Sequence, residues 1–281
     1  MRTVGILYHA QRSESSRLAQ DVSTILGERG LAVWRGSADD EAGLRGAAPA
    51  LDMLVTLGGD GTIVSAVRVV AAFGVPILGV NLGRLGFLAE VEPGQVREAI
   101  PAVLEGKYVV EERMMLHAVL QREGAPILEA EAINDVVMGR GPSSRTVRVS
   151  VSVDGHFVTT HTADGIIVST PTGSTAYCLS AGGPIVAPDL RCITITPVAT
   201  HLSVIHALVV PPASSVRLQL LKAHAAMLTI DGQLDAELQP GDEVLASAGK
   251  TSARFIRLGD DGYFYEKVLR RLRWPDQAQM P

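Results

Sequence analysis

The sequence predicts an α/β domain built on a parallel sheet, followed by a β-rich domain. Two observations predict this. In the first hundred or so residues, short apolar runs alternate with helical patterns, the signature of strands with helices on their faces. Near residue 107 that alternation gives way to closely spaced β-type runs. Hydrophobic residues make up 47% of the 281 and charged residues 20%, so the chain has enough apolar material for packed cores and lacks a disordered composition.

Val4–Tyr8 reads as a buried strand. Ser15–Arg29 reads as a helix, because Leu18, Val22, Ile25 and Leu26 fall on one stripe, and Gly30 stops it. Leu31–Trp34 is a second strand and Met53–Leu57 a third, ending in glycines. Thr62–Ala72 is helical, Ile77–Val80 is the next strand, and Pro93–Leu104 is a helix closed by Gly106. The predicted strands of the second half include Thr146–Val153, Gly165–Ser169, Cys192–Val198, Ser215–Leu221 and Ala226–Ile230. Asp154-Gly155 signals a hairpin between two such runs, and Pro211-Pro212 and Pro240-Gly241 mark turns. Within this half only Gly173–Leu179 and its flanks suggest a helix. A last helical pattern, Tyr263–Arg273, is expected to pack back on the first domain. The predicted division is therefore 1–106, 107–258 and 259–281, with no internal repeat.

The formal net charge is −5, which argues against a nucleic-acid or membrane-surface binder. No stretch approaches the length of a bilayer span, and the N-terminus runs straight into a strand pattern without the features of a signal peptide. Two cysteines, Cys178 and Cys192, do not make a disulfide framework, so a reducing, cytoplasmic setting is expected. The seven histidines are scattered without metal-ligand spacing, and no nucleophile elbow is present.

The sharpest local feature is Gly58-Gly59-Asp60-Gly61-Thr62, at the carboxyl end of an apolar strand where a helix begins. Glycines let a backbone approach a ligand closely, and the amides of a helix start suit phosphate oxygens. An aspartate there can accept the proton of a hydroxyl that attacks phosphorus. The same residues also fit a tight strand-to-helix turn with Asp60 as helix cap. It is neither the Walker pattern nor the dinucleotide fingerprint. A second feature, Ser169 to Tyr177, crowds five Ser and Thr residues into one strand-to-helix turn. They suit a polyhydroxylated or phosphorylated ligand, although taken alone such a segment more commonly is a well-capped helix start. In a third, Asn134-Asp135, an amide can read an adenine edge and a carboxylate can accept from a ribose diol. A turn or bulge is the other reading of that dipeptide, and Asp231-Gly232-Gln233 is open in the same way between ligand contact and hairpin.

The order of these motifs resembles the NAD kinase family. The matching strings are Gly58 to Thr62, Gly79 to Leu88, Ala132 to Val137, Asp164-Gly165, Ser169 to Tyr177, Ser180 to Val186 and Asp231 to Gln233. The first alone is shared with lipid kinases and phosphofructokinases, and a lipid or sphingoid-base kinase is the competing enzyme. A nucleotide-sensing module without catalysis is the competing binder. The resemblance implies an α/β N-terminal domain and a β-rich C-terminal domain with the active site in the cleft between them. It implies transfer of phosphate from ATP, in some members polyphosphate, to NAD, with a divalent cation, usually Mg2+. Asp60 is then the residue that takes the proton of the ribose 2′-hydroxyl, with Gly61 against phosphates. Asn134 and Asp135 would hold adenosine, and Asp164 would contact the nicotinamide end. Thr175, Ala176, Tyr177, Cys178, Leu179 and Ser180 would line the dinucleotide site, with Ala199 and Gln233 at its rim. Arg145 falls at a basic or polar contact of the family. A homodimer or homotetramer is implied. The chain departs from the family in lacking Arg-Pro shortly after His201, and in having Thr162 where Lys or Arg is common.

Overall fold

The structure is a computed structural model that describes residues 1–83, 86–142, 145–200, 206–259, 264, 265 and 268. In chain order its elements begin with β1 (Thr3–Tyr8), α1 (Ser13–Glu28), β2 (Ala32–Ser37), α2 (Glu41–Ala47), β3 (Met53–Gly58), α3 (Asp60–Val70), β4 (Ile77–Asn81) and α4 (Val96–Leu104). There follow β5 (Val109–Arg122), β6 (Ala125–Ala132), β7 (Asp135–Arg140), β8 (Val147–Val153), β9 (His156–Ala163), β10 (Gly165–Ser169) and α5 (Tyr177–Ser180). The last are β11 (Ile193–Val198), β12 (Leu208–Val210), β13 (Val216–Lys222), β14 (Ala226–Ile230), β15 (Leu234–Leu238) and β16 (Glu243–Arg257). Among the described residues no helix is long and apolar enough to cross a membrane.

The described residues form two compact units, one of Met1–Glu112 with 253–259, the other Arg113–Ser252. In the first, β2, β1, β3 and β4 pair in that order, all parallel, and Phe255 of β16 pairs in parallel with Ile77 of β4. β3 is buried at every residue and apolar but for Thr56, as a parallel strand covered on both faces requires. Met53, Val55 and Leu57 pack into one cluster with Val22 and Leu26 of α1 and Ile100 and Val103 of α4. α3 buries Ile63, Ala66, Val67 and Val70. α1 ends as its sequence suggests. Gly30 sits at φ +74°, and the amides of Gly30 and Leu31 reach back to Gly27 and Leu26.

The second unit is antiparallel. β12, β11, β10, β7, β14 and β15 form one sheet. The early part of β16, β13, β8 and β9 pair in that order, and β5 pairs with β6. Inward residues of both sets, among them Leu116, Val149, Val151, Ile166, Val168, Leu218, Leu228 and Ile230, form one core. The Asp154-Gly155 turn joins β8 to β9 with both residues at positive φ, as a tight hairpin demands.

An α/β unit with a parallel sheet and a β-rich unit are thus both present. Boundaries differ from the sequence reading in detail. The second strand runs Ala32–Ser37 and not Leu31–Trp34, and the third helix starts at Asp60, two residues before Thr62. Pro93–Gln95 forms a 3₁₀ turn leading into α4. The Gly173–Leu179 helix is a 3₁₀ turn, Gly173–Thr175, followed by the single turn of α5. The short α2 was not anticipated. Of the Tyr263–Arg273 pattern only Phe264, Tyr265 and Val268 are described, all helical, and its packing lies outside the described residues.

Candidate active site

In the first unit, β3 runs into α3 through Gly58-Gly59. Gly59 occupies the cap position without a side-chain cap, and Asp60 is the first helical residue. The helix-cap reading of Asp60 is therefore replaced by a different arrangement. Its carboxylate accepts from two backbone amides of a distant loop, Oδ2 from Phe87 N–H at 2.8 Å and Oδ1 from Leu88 N–H at 3.1 Å. Gly86 makes this approach possible, since a Cβ there would lie 2.0 Å from Oδ1 of Asp60. Two amide donors, one on each oxygen, fix the orientation of the carboxylate. Gly61 follows on the exposed first turn of α3, the end of a helix that favours anions. Thr62 is buried, and its Oγ1 lies 3.0 Å from Nε2 of His9.

In the second unit a cavity of about 600 Å³ opens on the outer face of the six-stranded sheet, opposite the core. Strand alternation supplies its floor. Val136 and Met138 of β7 point into the core, so Asp135, Val137 and Gly139 face the cavity, with Met227, Thr229 and Asp231 beside them. Gly139 stands in register with Gly165 of β10, two residues without side chains that leave the floor hollow. Asn134, Arg140, Asp164, Ala176 and Tyr177 are also in its wall.

Three local devices hold the wall. The carboxylate of Asp231 accepts from the amides of Ile133, Asn134 and Asp135 at 2.9, 2.7 and 3.0 Å, which fixes the Asn134-Asp135 turn. Thr170 stitches the next turn to the same strand end. Its Oγ1 donates to the carbonyl of Ile133 at 2.5 Å and accepts from Gly173 N–H, and its own amide donates to the carbonyl of Asn134. Arg140 Nε lies 3.2 Å from Oδ1 of Asp164. Asp135 is only 5% exposed, and burial, with the Asp231 charge nearby, pushes its carboxyl up to about 7.

Of the residues predicted from sequence, the structure brings Asn134, Asp135, Asp164, Ala176 and Tyr177 into this one cavity. Tyr177 is 47% exposed. The hydroxyls of the Ser169–Tyr177 segment divide. Ser169, Thr170, Thr172 and Ser174 are buried, and those of Thr170 and Ser174 are spent on the turn itself, as the capped-turn alternative requires. Thr175 is half-buried and donates to the carbonyl of Thr172. Cys178 faces the interior, its thiol 3.3 Å from Oγ1 of Thr196. Leu179 is half-buried and Ser180 exposed on α5. Ala199 follows β11 at φ +46°, and Gln233 is exposed within the β14–β15 turn. Arg145 lies in a separate hollow with Arg148, Thr162, Lys222 and His224. His201 lies outside the described residues, as does the run after it through Ile205. Sequence reasoning missed Arg140, Met227 and Thr229. The available signal was alternation, since Met227 and Thr229 lie on the same strand face as the flagged Asp231.

Among the described residues no group of three or more His, Cys, Asp or Glu side chains could hold a metal ion.

Comparison with known proteins fits this arrangement. Residues 10–108 match the family model of the ATP-NAD kinase N-terminal domain, and residues 133–258 that of the C-terminal domain. The NAD kinase of Heliobacterium modesticaldum is 40% identical over 96% of this chain and 98% of its own length. That of Geobacter metallireducens is 44% identical over 80% of each chain. Yeast NADH kinase, solved with NADH, superposes with a TM-score of 0.86 at 25% identity, covering 100% of this chain and 90% of that one. An Archaeoglobus fulgidus NAD kinase solved with ATP gives 0.74 at 25%, covering 95% of this chain and 98% of that one. With both halves matched in order and relatives aligned along nearly the whole length, the chain belongs to the NAD kinase family.

Proposed function

We propose that this protein transfers the γ-phosphoryl group of ATP to the 2′-hydroxyl of the adenosine ribose of NAD, giving NADP and ADP. The 2′-oxygen forms a bond to the γ-phosphorus, and the bond from that phosphorus to the β–γ bridging oxygen breaks. The hydroxyl proton passes to Asp60, the general base. The observation that carries this reading is the amide-held carboxylate of Asp60 at the start of α3, in a chain whose two halves match the two NAD kinase domains.

The cavity of the second unit supports the acceptor side. Asn134 hydrogen-bonds the adenine edge, and the Asp135 carboxylate accepts from the ribose hydroxyls. Asp164 sits at the nicotinamide end. Ala176 and Tyr177 form one wall, and Thr175, Cys178, Leu179 and Ser180 support or extend it, with Ala199 and Gln233 at the rim and Arg145 as an outer basic contact. Gly61 lies against phosphates that the α3 N-terminus favours. A divalent cation, Mg2+ by preference, would come bound to the ATP phosphates and would supply positive charge against the charge developing on the transferring group. The functional division is 1–106 for phosphate binding and 107–258 for NAD, with 259–281 returning to the first domain. A homodimer or homotetramer in the cytoplasm completes the reading.

The test is a coupled assay of purified protein with ATP, magnesium and NAD, reading NADP, with parallel arms using polyphosphate, NADH and diacylglycerol. NADP formation dependent on ATP and NAD supports the reading. Turnover of diacylglycerol with none of NAD or NADH contradicts it. Light scattering of the purified protein checks the subunit number.

A further inference from the structure

Arg257 closes β16 and is 3% exposed. Its guanidinium reaches two carboxylates and a backbone carbonyl. Nε donates to Oε2 of Glu111 at 2.7 Å, and Nη1 donates to Oε2 of Glu90 at 3.1 Å and to the carbonyl of Leu88 at 3.0 Å. Glu90 is held in turn, since its Oε1 accepts from Leu258 N–H at 2.9 Å. The guanidinium carbon also lies 5.2 Å from the centroid of the Phe255 ring.

Burying a cation between carboxylates is a poor way to gain stability, because desolvation consumes much of the Coulomb attraction. The contact to Leu88 gives the arrangement another use. Leu88 is the residue whose amide donates to Oδ1 of Asp60. It is gripped from both sides, its N–H on the proposed base and its C=O on Arg257. The neighbouring amide of Phe87 holds the other carboxylate oxygen. The sequence places these parts far apart, with Leu88 28 positions after Asp60 and Arg257 169 positions after Leu88.

We propose that Arg257 is a positioning residue for phosphoryl transfer, fixing the carbonyl of Leu88 and, through that residue's amide, the orientation of the Asp60 carboxylate. This rests on the reading of Asp60 as base. Arginine suits the role because its rigid fork addresses Glu90, Glu111 and a backbone carbonyl together, whereas lysine carries the same charge without the fork. The anchored Glu90 and Glu111 set the guanidinium in place, and the guanidinium sets the loop.

The experiment compares wild type, Arg257→Lys, Asp60→Asn and the double variant in steady-state turnover of ATP and NAD. Calorimetric NAD binding and thermal melts run alongside. Arg257→Lys is expected to lower kcat about tenfold or more, since small misplacements of a reacting group are costly. Its KM and Kd for NAD should stay within about twofold, a split that general loosening of the fold does not produce. In the Asp60→Asn background the same change should cost less than about twofold further, because its route to the chemistry is already gone. Wild-type kcat in a folded Arg257→Lys protein overturns the proposal, and so does an undiminished loss in the double variant. If Asp60→Asn retains turnover, the base assignment falls and takes this proposal with it. If Asp60→Asn is dead while Arg257→Lys is fully active, the base stands and only the positioning role falls. Should Arg257→Lys fail to fold, Glu111→Gln weakens the grip on Nε while keeping the cation. A several-fold fall in kcat with NAD binding intact supports the proposal there, and an unchanged kcat overturns it.

Discussion

A Cβ at position 86 would lie 2.0 Å from Oδ1 of Asp60, closer than any non-bonded contact allows. Only glycine lets the 86–88 backbone come near enough to place two amides on that carboxylate. Gly86→Ala is therefore expected to push the carboxylate or the loop aside. We expect kcat to fall by about ten- to a hundredfold while NAD affinity changes little. Stability should drop by about 1–3 kcal/mol, the usual cost of overpacking. Steady-state kinetics with calorimetric NAD binding check this, and unchanged kcat would mean the contact does not govern the chemistry.

Asp135 makes stability depend on pH in a definite direction. Its carboxyl titrates at about 7 in the fold, against an ordinary value of 3.8, because burial and the nearby Asp231 charge disfavour ionisation. The folded state therefore holds a proton that the unfolded chain has released. Stability from this group is greatest below about pH 4, declines as pH rises toward 7, and is level above that. The full excursion is at most about 4 kcal/mol. Asp135→Asn should remove this slope, so the variant gains on wild type between pH 5 and 8. Urea midpoints of both proteins across that range test it, and a constant difference contradicts it.

The same titration reaches function if the ionised carboxylate is what accepts from ribose. NAD affinity should then rise from pH 6 to 8 and level off above, and Asp135→Asn should flatten that dependence. Calorimetric Kd values across the range are the measurement, and an affinity that falls with pH in wild type would refute this use of Asp135.

Asp231 holds three amides of the Ile133–Asp135 segment from the β14–β15 turn. Asp231→Ala strips a charged acceptor from all three, which we expect to cost about 2–4 kcal/mol. Because those amides fix the proposed adenosine contacts, NAD affinity should weaken along with the melting temperature. A variant that melts like wild type would show the three bonds to be idle.

The fold class was legible because local patterns and tertiary structure agree. β3 is a nearly continuous apolar run that meets glycines, and the α1 stripe of Leu18, Val22, Ile25 and Leu26 is what packs beneath it. α2 escaped notice because it buries a single residue, Leu44, and leaves no stripe to read. β6 escaped because it is largely exposed and its alternation is carried by Ala and Glu after Pro126, residue types that signal a strand weakly. The motifs were visible as strings, but their mutual contacts were not. Nothing in Gly86-Phe87-Leu88 announces that its amides seek Asp60, and nothing in Asp231-Gly232 shows that its carboxylate reaches 97 residues back. The hairpin reading of Asp231 was right about its backbone, and the side chain does separate work. Hydroxyl crowding in Ser169–Thr175 fits a capped turn as well as a ligand site, and the structure shows Thr170 and Ser174 used to build the turn. Such contacts depend on where distant segments meet, which local periodicity does not encode.

The most direct test of the account is turnover by Asp60→Asn beside its calorimetric affinity for NAD. Asparagine keeps the shape and one oxygen acceptor for the loop amides but cannot take a proton at neutral pH. The account predicts NAD affinity close to wild type and kcat lower by about a hundredfold or more. Turnover comparable to wild type would remove Asp60 as the base and with it the proposed mechanism.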